Sequence, residues 1–139
     1  MSENVHATCV ALRGRAVLLT GASGVGKSDL ALRLIDRGWS LVSDDRTLLD
    51  QEDAALVATP PATIAGRIEV RGLGIVTLPH LASAPVALLV RLGEEIDRLP
   101  PDDAVETVAG VDLPLLRVDA RSPSAPVIVE WALERLERE

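Results

Sequence analysis

The segment GASGVGKSDLALRLIDRGWSLVSDD, residues 21–45, decides the fold. It opens with a glycine-rich stretch, Gly21–Ser28, that satisfies the pattern G-x-x-x-x-G-K-[ST]. The apolar run AVLLT at residues 16–20 precedes it as a buried strand would, and residues 29–37 follow with apolar side chains at helical spacing. Gly38 stands where a glycine ends a helix. This order predicts an α/β fold with an anion-binding loop at a strand end.

The glycine loop, defined as Gly21–Ser28, has the chemistry of a phosphate cradle. Its backbone N–H groups and the positive end of the following helix would surround phosphate oxygens. The Lys27 ammonium would reach the β- and γ-phosphates of a nucleotide, and the Ser28 hydroxyl would ligate Mg²⁺. The alternative is a glycine-rich turn that merely fits the pattern. The predicted nucleotide-binding residues are Gly21, Ala22, Ser23, Gly24, Val25, Gly26, Lys27 and Ser28.

The basic residues of the chain are unevenly divided. Of the 14 lysines and arginines, Lys27 is the single lysine. A general preference for arginine explains the other positions, but a compact ammonium is found only in the glycine loop.

An acidic pair, Asp44 and Asp45, ends the quoted segment. Asp45 lies 18 positions after Lys27, which leaves room for one helix, a tight turn and a short strand. If that strand runs in the direction of the first, both carboxylates lie at the sheet edge that carries the glycine loop. Two adjacent carboxylates in a partly buried cleft favour either a bound Mg²⁺ or a shared proton, so Asp44 is a candidate Mg²⁺ ligand. The alternative is an Asp-rich turn between two strands.

The spacing leaves two further residues ambiguous. Glu69 lies in RIEVRGLG, a short predicted strand that enters a glycine turn, and an outward-facing strand residue is the simpler interpretation. His6 on the first predicted strand is equally ambiguous between a structural and a catalytic role. Hydrolases are not the leading class, because no G-x-S-x-G segment or Cys/His pairing accompanies the loop.

Length and composition bound the remaining possibilities. The chain has 139 residues, a formal net charge of −7, 47% hydrophobic residues and one cysteine, which predicts one compact domain over residues 1–139. Its acidic balance and lack of basic runs oppose nucleic acid and anionic membrane surfaces as partners. Its longest apolar run, about residues 84–90, is too short to span a bilayer. We expect a cytoplasmic protein.

The rest of the chain reads mostly as short strands. Residues 5–12 and 16–20 predict a hairpin, and residues 100–110 read as a polar surface loop. Residues 126–138 predict a terminal helix with a proline in its first turn. The sequence therefore predicts a mixed sheet with two main helices.

These residues together resemble a known family. The segment at residues 21–45 is similar, position by position, to the catalytic domain of HPr kinase/phosphorylase. His6 stands 15 residues before Gly21, as that family's histidine does. IEVRGLGIV at residues 68–76 resembles the family's signature around a metal-binding glutamate, and IDRL at residues 96–99 resembles its short arginine segment. The similarity is strong over residues 5–76.

The resemblance implies a fold and a set of roles. The fold would be the P-loop fold of the phosphoenolpyruvate-carboxykinase type. Lys27 and Ser28 would bind ATP phosphates and Mg²⁺, and Glu69 would be the second metal-linked carboxylate. Asp45 would be the catalytic base with His6 beside it, and Arg98 would steady the transferring phosphoryl group.

The resemblance also implies an activity. We expect an ATP-dependent kinase that phosphorylates a serine of HPr or an HPr-like phosphocarrier protein of the phosphotransferase system, with a reverse dephosphorylation by inorganic phosphate as an extension. A homohexamer is implied as well. The family's amino-terminal domain has no counterpart before His6, so we expect a form with the catalytic domain only. VDARSPSAPVIVE at residues 118–130 stands in place of the arginine- and glycine-rich loop that the family uses for dephosphorylation and for holding the protein substrate.

Two other hypotheses start from the same loop. One is a kinase of a small metabolite, which is disfavoured because the chain has little length for a lid and only Trp39 near the loop to grip a ring. The other is an ATP-binding regulatory adaptor, which needs the phosphate cradle and the metal but no catalytic base. The presence of Asp45 and Arg98 favours the enzyme.

Overall fold

A computed structural model describes residues 2–101 and 103–138 of the chain. Within these residues the chain forms a mixed α/β structure of short strands and two helices, as the sequence predicts. The strands are β1 (Glu3–Val5), β2 (Ala7–Leu12), β3 (Arg15–Thr20), β4 (Ser40–Ser43), β5 (Thr47–Glu52), β6 (Ala55–Thr59), β7 (Arg67–Val70), β8 (Gly74–Thr77), β9 (Ala84–Leu92), β10 (Val105–Val108) and β11 (Val111–Val118). The helices are α1 (Lys27–Asp36) and α2 (Ala125–Glu137).

Strand β9 is the centre of the main sheet. It pairs in parallel with β3 along one edge, over residues 86–91. Its other edge pairs first with β6, antiparallel, and then with β11, parallel, over residues 89–92. The sheet therefore divides at β9, and the strand order β1-β5-β6-β9-β3-β2-β4 continues on either side. Strands β7 and β8 form a separate antiparallel pair.

Two hydrophobic cores cover the two faces of this sheet. The first contains the buried faces of both helices, with Leu30 and Leu34 of α1 and Val129 and Leu133 of α2 all fully buried. The second lies on the opposite face and is lined by β2, β3, β5, β6, β9 and β11. Strand β9, like β2 and β3, contributes side chains to both cores. Because it also pairs with three strands, it is the strand about which the described fold is organised.

Local sequence patterns predicted most of the strands and helices correctly. The predicted hairpin is present, since β2 and β3 pair antiparallel around the turn at Arg13 and Gly14. Gly38 has φ +105° and its N–H donates to the Ile35 carbonyl, which ends α1 where the glycine predicted it. No helix in the described parts of the chain is long and apolar enough to cross a membrane.

Two local predictions were wrong. The segment 100–110, expected to be a surface loop, contains β10, whose residues pair antiparallel with β11. Its alternation is weak because its two polar residues, Glu106 and Thr107, are adjacent, so the pairing with β11 defines it as a strand. The predicted strand at residues 5–12 is broken at His6, because the chain leaves β5 and joins β3 and β4 at that point.

A polar link joins the end of α1 to α2. The indole N–H of Trp39, which is 3% exposed, donates to Glu130 Oε1 at 2.9 Å. Arg37 donates to Glu130 Oε2 at 3.1 Å. The Trp39 hydrogen bond, followed by the Arg37 guanidinium, holds the pKa of the Glu130 carboxyl below its ordinary value. The ionised carboxylate therefore stabilises the packing of α2 on the end of α1.

Glu130→Gln tests this link. The variant keeps an acceptor for Trp39 but loses the charge, so we expect a loss of about 1 kcal/mol at pH 7 by urea unfolding. Because the folded-state pKa lies below the unfolded one, near 4.5, this difference is fully present above that value. It is lost as the pH falls through the folded-state pKa.

The matched control is Glu134→Gln on the same helix. The Glu134 carboxylate lies 3.8 Å from the half-exposed Arg13 guanidinium, and such exposed pairs contribute little. Its effect should stay under about 0.5 kcal/mol. Equal, pH-independent losses in the two variants would contradict the assignment of Glu130.

Candidate active site

The glycine loop and the acidic pair meet at one edge of the sheet. Strand β4 is antiparallel to β2, and β2 is antiparallel to β3, so β4 runs in the direction of β3 although the two are not neighbours. The glycine loop follows β3 and Asp44–Asp45 follow β4. The expectation that both lie at the same sheet edge is therefore confirmed, with β2 placed between them.

The glycine loop holds its lysine close to its own backbone. The side chain of Lys27 is 6% exposed, and its Nζ donates to the carbonyls of Gly21 at 2.8 Å and Ala22 at 3.1 Å. A Cβ at Gly21 would come within 2.8 Å of the Leu92 carbonyl oxygen, so only glycine fits there. The loop thus curls around an ammonium group at the beginning of α1.

The first turn of α1 has backbone N–H donors without partners inside the helix. Its N-cap is Gly26, with φ +107° and no side-chain cap. The first N–H groups of a helix have no partner within the helix, and a glycine offers none from a side chain. The N–H groups of the first turn, beside the Lys27 ammonium, can therefore donate hydrogen bonds to an anionic oxygen.

Asp44 is the most connected acidic residue of the site. It is 7% exposed, and its Oδ1 accepts hydrogen bonds from Ser28 Oγ at 2.6 Å and from Thr8 Oγ1 at 3.1 Å. Its Oδ2 accepts the backbone N–H of Glu69 at 3.1 Å. Three donors from α1, β2 and β7 thus meet on one buried carboxylate, as burial of a charge requires.

Asp45 has a different environment from its neighbour. Its side chain is 62% exposed and its Oδ1 lies 2.7 Å from Nε2 of His6. The residue has φ +68°, a left-handed conformation that aspartate tolerates better than most residues. Its backbone N–H donates to Thr8 Oγ1 at 3.1 Å. The turn after β4 therefore directs one carboxylate into the fold and presents the other beside a histidine.

Sequence reasoning missed Thr8. Its fully buried hydroxyl donates to Asp44 and accepts from the Asp45 backbone, so it fixes both members of the acidic pair. The available signal was a single hydroxyl residue inside the apolar stretch that forms β2. A buried hydroxyl needs a hydrogen-bond partner, but the sequence does not name that partner.

The remaining predicted residues lie at the periphery of this arrangement. Glu69 is brought to the site by its backbone N–H, while its exposed side chain makes no hydrogen bond or ion pair within residues 2–101 and 103–138. Arg98 lies in the segment that follows β9, a strand parallel to β3, and is exposed. The described residues include no hydrogen bond or ion pair to Arg98.

A charged network anchors the segment that carries Arg98. Glu94 accepts from Arg117 Nε at 2.9 Å and from Arg91 at 3.2 Å, and Arg91 also pairs with Glu106. The Arg117 hydrogen bond, followed by the Arg91 contacts, holds the pKa of the Glu94 carboxyl below its ordinary value. The segment after β9 is thus fixed at its first turn to β9 and β11.

The site has oxygen ligands suited to Mg²⁺ rather than a complete cage. Within the described residues no three His, Cys, Asp or Glu side chains converge on one metal position. Mg²⁺ usually binds one or two carboxylates together with substrate phosphates and water, so a cage is not needed. The hydroxyl of Ser28 and the carboxylate of Asp44, 2.6 Å apart at the start of α1, fit such a partial site.

Fold and site together define a class: a mixed α/β protein in which a glycine loop with its lysine, a buried carboxylate and an exposed Asp–His pair share one sheet edge. The sequence matches the family model described as HPr Serine kinase C-terminal domain over residues 1–138. The chain therefore belongs to the HPr serine kinase C-terminal domain family.

Individual relatives agree with this assignment. HPr kinase/phosphorylase of Enterococcus faecalis is 36% identical, with the match covering 93% of this chain and 46% of that protein. The Clostridium acetobutylicum protein of the same name is 33% identical over 88% of this chain and 42% of its own. The chain thus spans about half the length of the curated relatives it matches.

A solved structure has the same fold. The Hpr(Ser) kinase/phosphatase from Coxiella burnetii superposes with a TM-score of 0.85 at 28% sequence identity. The match covers 98% of this chain and 97% of the other. The arrangement of strands and helices described above is therefore that of a known kinase structure.

Thr8→Val tests the support of the acidic pair. Removing the hydroxyl takes one donor from the buried Asp44 carboxylate and an acceptor from the Asp45 N–H, so we expect a loss of about 1–3 kcal/mol in urea unfolding. Thr8→Ser, which keeps the hydroxyl, is the matched control and should lose clearly less. Equal stability of the two variants would show that the hydroxyl does not support the turn.

Proposed function

We propose that this chain is an ATP-dependent protein kinase that transfers the γ-phosphoryl group to a serine of HPr or an HPr-like phosphocarrier protein. The observation that carries the proposal is the meeting of Lys27, Ser28, Asp44 and the Asp45–His6 pair at one sheet edge. Phosphoryl transfer needs a phosphate cradle, a metal site and a group that receives the acceptor's proton. The names of the relatives support the choice of acceptor.

The nucleotide would be held by the backbone of the glycine loop and by Lys27. The ammonium, which now donates to the Gly21 and Ala22 carbonyls, lies where it can exchange these for phosphate oxygens. Transfer passes through a loose transition state, so positioning and charge neutralisation supply most of the catalysis. Burial of the ammonium strengthens its attraction for the phosphates, because solvent screens it less.

Ser28, Asp44 and Glu69 are the proposed metal ligands. Bound Mg²⁺ would neutralise charge on the β- and γ-phosphates as the phosphoryl group moves. The Ser28 hydroxyl donates its proton to Asp44 in this structure, which leaves the oxygen lone pairs free to ligate a metal ion. The Glu69 backbone N–H donates to Asp44, which supports Glu69 as the second carboxylate of this site.

Asp45 is the proposed base. As the serine oxygen bonds to the γ-phosphorus and the bond to the ADP oxygen breaks, the hydroxyl proton passes to the Asp45 carboxylate. The exposure of that carboxylate allows a protein acceptor to reach it, and His6 at 2.7 Å holds its orientation. Arg98 is proposed to steady the transferring group. In the reverse direction, a protonated Asp45 would return the proton to serine while inorganic phosphate attacks.

The fold of this unit is proposed to be the P-loop fold of the phosphoenolpyruvate-carboxykinase type, with residues 1–139 as its catalytic domain. Support comes from the neighbouring strands. The strand before the glycine loop has one antiparallel neighbour, β2, and one parallel neighbour, β9. A fully parallel sheet would have parallel neighbours on both sides.

Transfer itself is the first test. The purified protein is incubated with Mg-ATP and an HPr-type protein of its own organism, and the acceptor mass is read by intact-protein mass spectrometry. We expect the gain of one phosphate on serine, absent with Lys27→Ala. Binding of Mg-ATP with no transfer to any such acceptor would overturn the substrate assignment. Inorganic phosphate added to the product then tests the reverse reaction.

Asp45→Asn tests the base separately from the backbone. Asparagine also tolerates the left-handed conformation, whereas alanine would add backbone strain of about 1–2 kcal/mol. We expect kcat to fall by about 10²-fold or more with ATP affinity unchanged. Asp50→Asn, an exchange in β5, is the matched control. A fully active Asp45→Asn enzyme would remove this residue from the base role.

A further inference from the structure

A cavity of about 270 Å³ adjoins the glycine loop on the side away from the acidic pair. Its lining comes from the three segments that follow β3, β9 and β11, which are parallel neighbours and therefore end at the same sheet edge. Open α/β sheets bind ligands at such an edge. The lining residues are Val25, Gly93, Asp119, Ala120 and Arg121.

The walls of the cavity are packed directly against one another. A Cβ at Gly93 would come within 2.7 Å of the Val25 side chain, and a Cβ at Gly26 would come within 3.0 Å of Ala120. Val25 and Ala120 therefore form an apolar surface with little freedom to move. The two glycines leave backbone, rather than side chains, against them.

The segment after β11 is held from behind by α1. The Arg33 guanidinium donates to the carbonyls of Ala120 and, at 3.1 Å, of Ser122. Asp119 Oδ1 accepts the Arg121 backbone N–H at 3.0 Å, and the Ser122 N–H donates to the Asp119 carbonyl. The cavity wall is therefore formed before any ligand arrives.

Two charged groups at this wall can form further hydrogen bonds. Within residues 2–101 and 103–138, the second carboxylate oxygen of Asp119 accepts no hydrogen bond, and the Arg121 guanidinium makes no hydrogen bond or ion pair. Both residues are exposed at the mouth of the cavity. Together they offer one hydrogen-bond acceptor and one flat cation beside an apolar floor.

We propose that this cavity binds the adenine base of the nucleotide whose phosphates lie in the glycine loop. Val25 and Ala120 contact the ring, Asp119 accepts a hydrogen bond from the 6-amino group, and the Arg121 guanidinium lies over the ring face. The inference rests on the proposed function, because the phosphates must first occupy the loop. It assigns base recognition to Asp119 and Arg121, which neither motif nor spacing singled out.

The volume and the aromatic content of the chain support this choice. Pockets for drug-sized ligands usually start near 300 Å³, so the cavity suits one ring system and leaves the sugar and phosphates outside. Trp39, the aromatic residue nearest the loop in sequence, is 3% exposed and committed to Glu130. Trp131 lies on the second helix and does not line the cavity. A guanidinium is therefore the group available for stacking.

The test separates base recognition from phosphate binding. Binding of ATP, purine riboside triphosphate and inorganic tripolyphosphate is measured by calorimetry with Mg²⁺ for the wild-type protein and two variants. Purine riboside triphosphate lacks only the 6-amino group, and tripolyphosphate lacks the base and the sugar. The variants are Asp119→Asn, which keeps the acceptor for the Arg121 N–H, and Arg121→Ala. Asp36→Asn and Arg138→Ala, at the far ends of α1 and α2, are the matched controls.

We expect Asp119→Asn to weaken ATP about tenfold and to leave purine riboside triphosphate unchanged, so that the preference for the amino group disappears. Arg121→Ala should weaken the binding of both nucleoside triphosphates about fivefold. Neither variant should change tripolyphosphate binding.

Three results would overturn the assignment. ATP binding insensitive to both variants would remove the base from this cavity while leaving the proposed kinase intact. Equal losses for ATP and tripolyphosphate would show that these residues serve the phosphates. A wild-type protein that binds neither ATP nor tripolyphosphate would overturn the proposed function, and the base site with it.

Discussion

A single buried carboxylate ties the site together. Asp44 accepts hydrogen bonds from a helix hydroxyl, a strand hydroxyl and a strand backbone N–H, so α1, β2 and β7 are each fixed relative to the turn after β4. Burying a charge is costly unless donors surround it, and that cost forces the four segments into one arrangement. The glycine loop and Glu69 keep their relative positions because each supplies a hydrogen-bond donor to this carboxylate, and Asp45 directly follows it in the chain.

The strand arrangement explains how the segments near the site are held in place. The glycine loop, the Arg98 segment and the Asp119–Arg121 turn follow β3, β9 and β11, three parallel strands whose side chains fill both cores. Their ends are fixed by packing on the two faces, and by the Arg117–Glu94 and Arg33–Ala120 contacts at the edge. The residues proposed to bind and transfer phosphate thus lie on short segments, each held where it leaves the sheet.

Local patterns predicted what depends on local chemistry. The glycine loop, the helix after it and its end at Gly38 follow from residue types at fixed spacing. The acidic pair was placed at the right edge because β4 runs with β3. β10 was missed because its two polar residues are adjacent, so its pairing with β11, not its own pattern, defines it as a strand. Thr8 was missed because the role of a buried hydroxyl depends on partners distant in sequence. The Arg91–Glu94–Arg117 network is of the same kind, since its members come from neighbouring strands and a turn.

Lys27 gives the protein a single side-chain target for amine-reactive reagents. It carries the only ε-amino group of the chain, and that group lies buried against the carbonyls of Gly21 and Ala22. Acylating reagents thus have one side-chain amine to modify, and it lies within the glycine loop. The extent of Lys27 acylation therefore reports how accessible the glycine loop is. A general amine-labelling reaction thus reads out a single site in this chain.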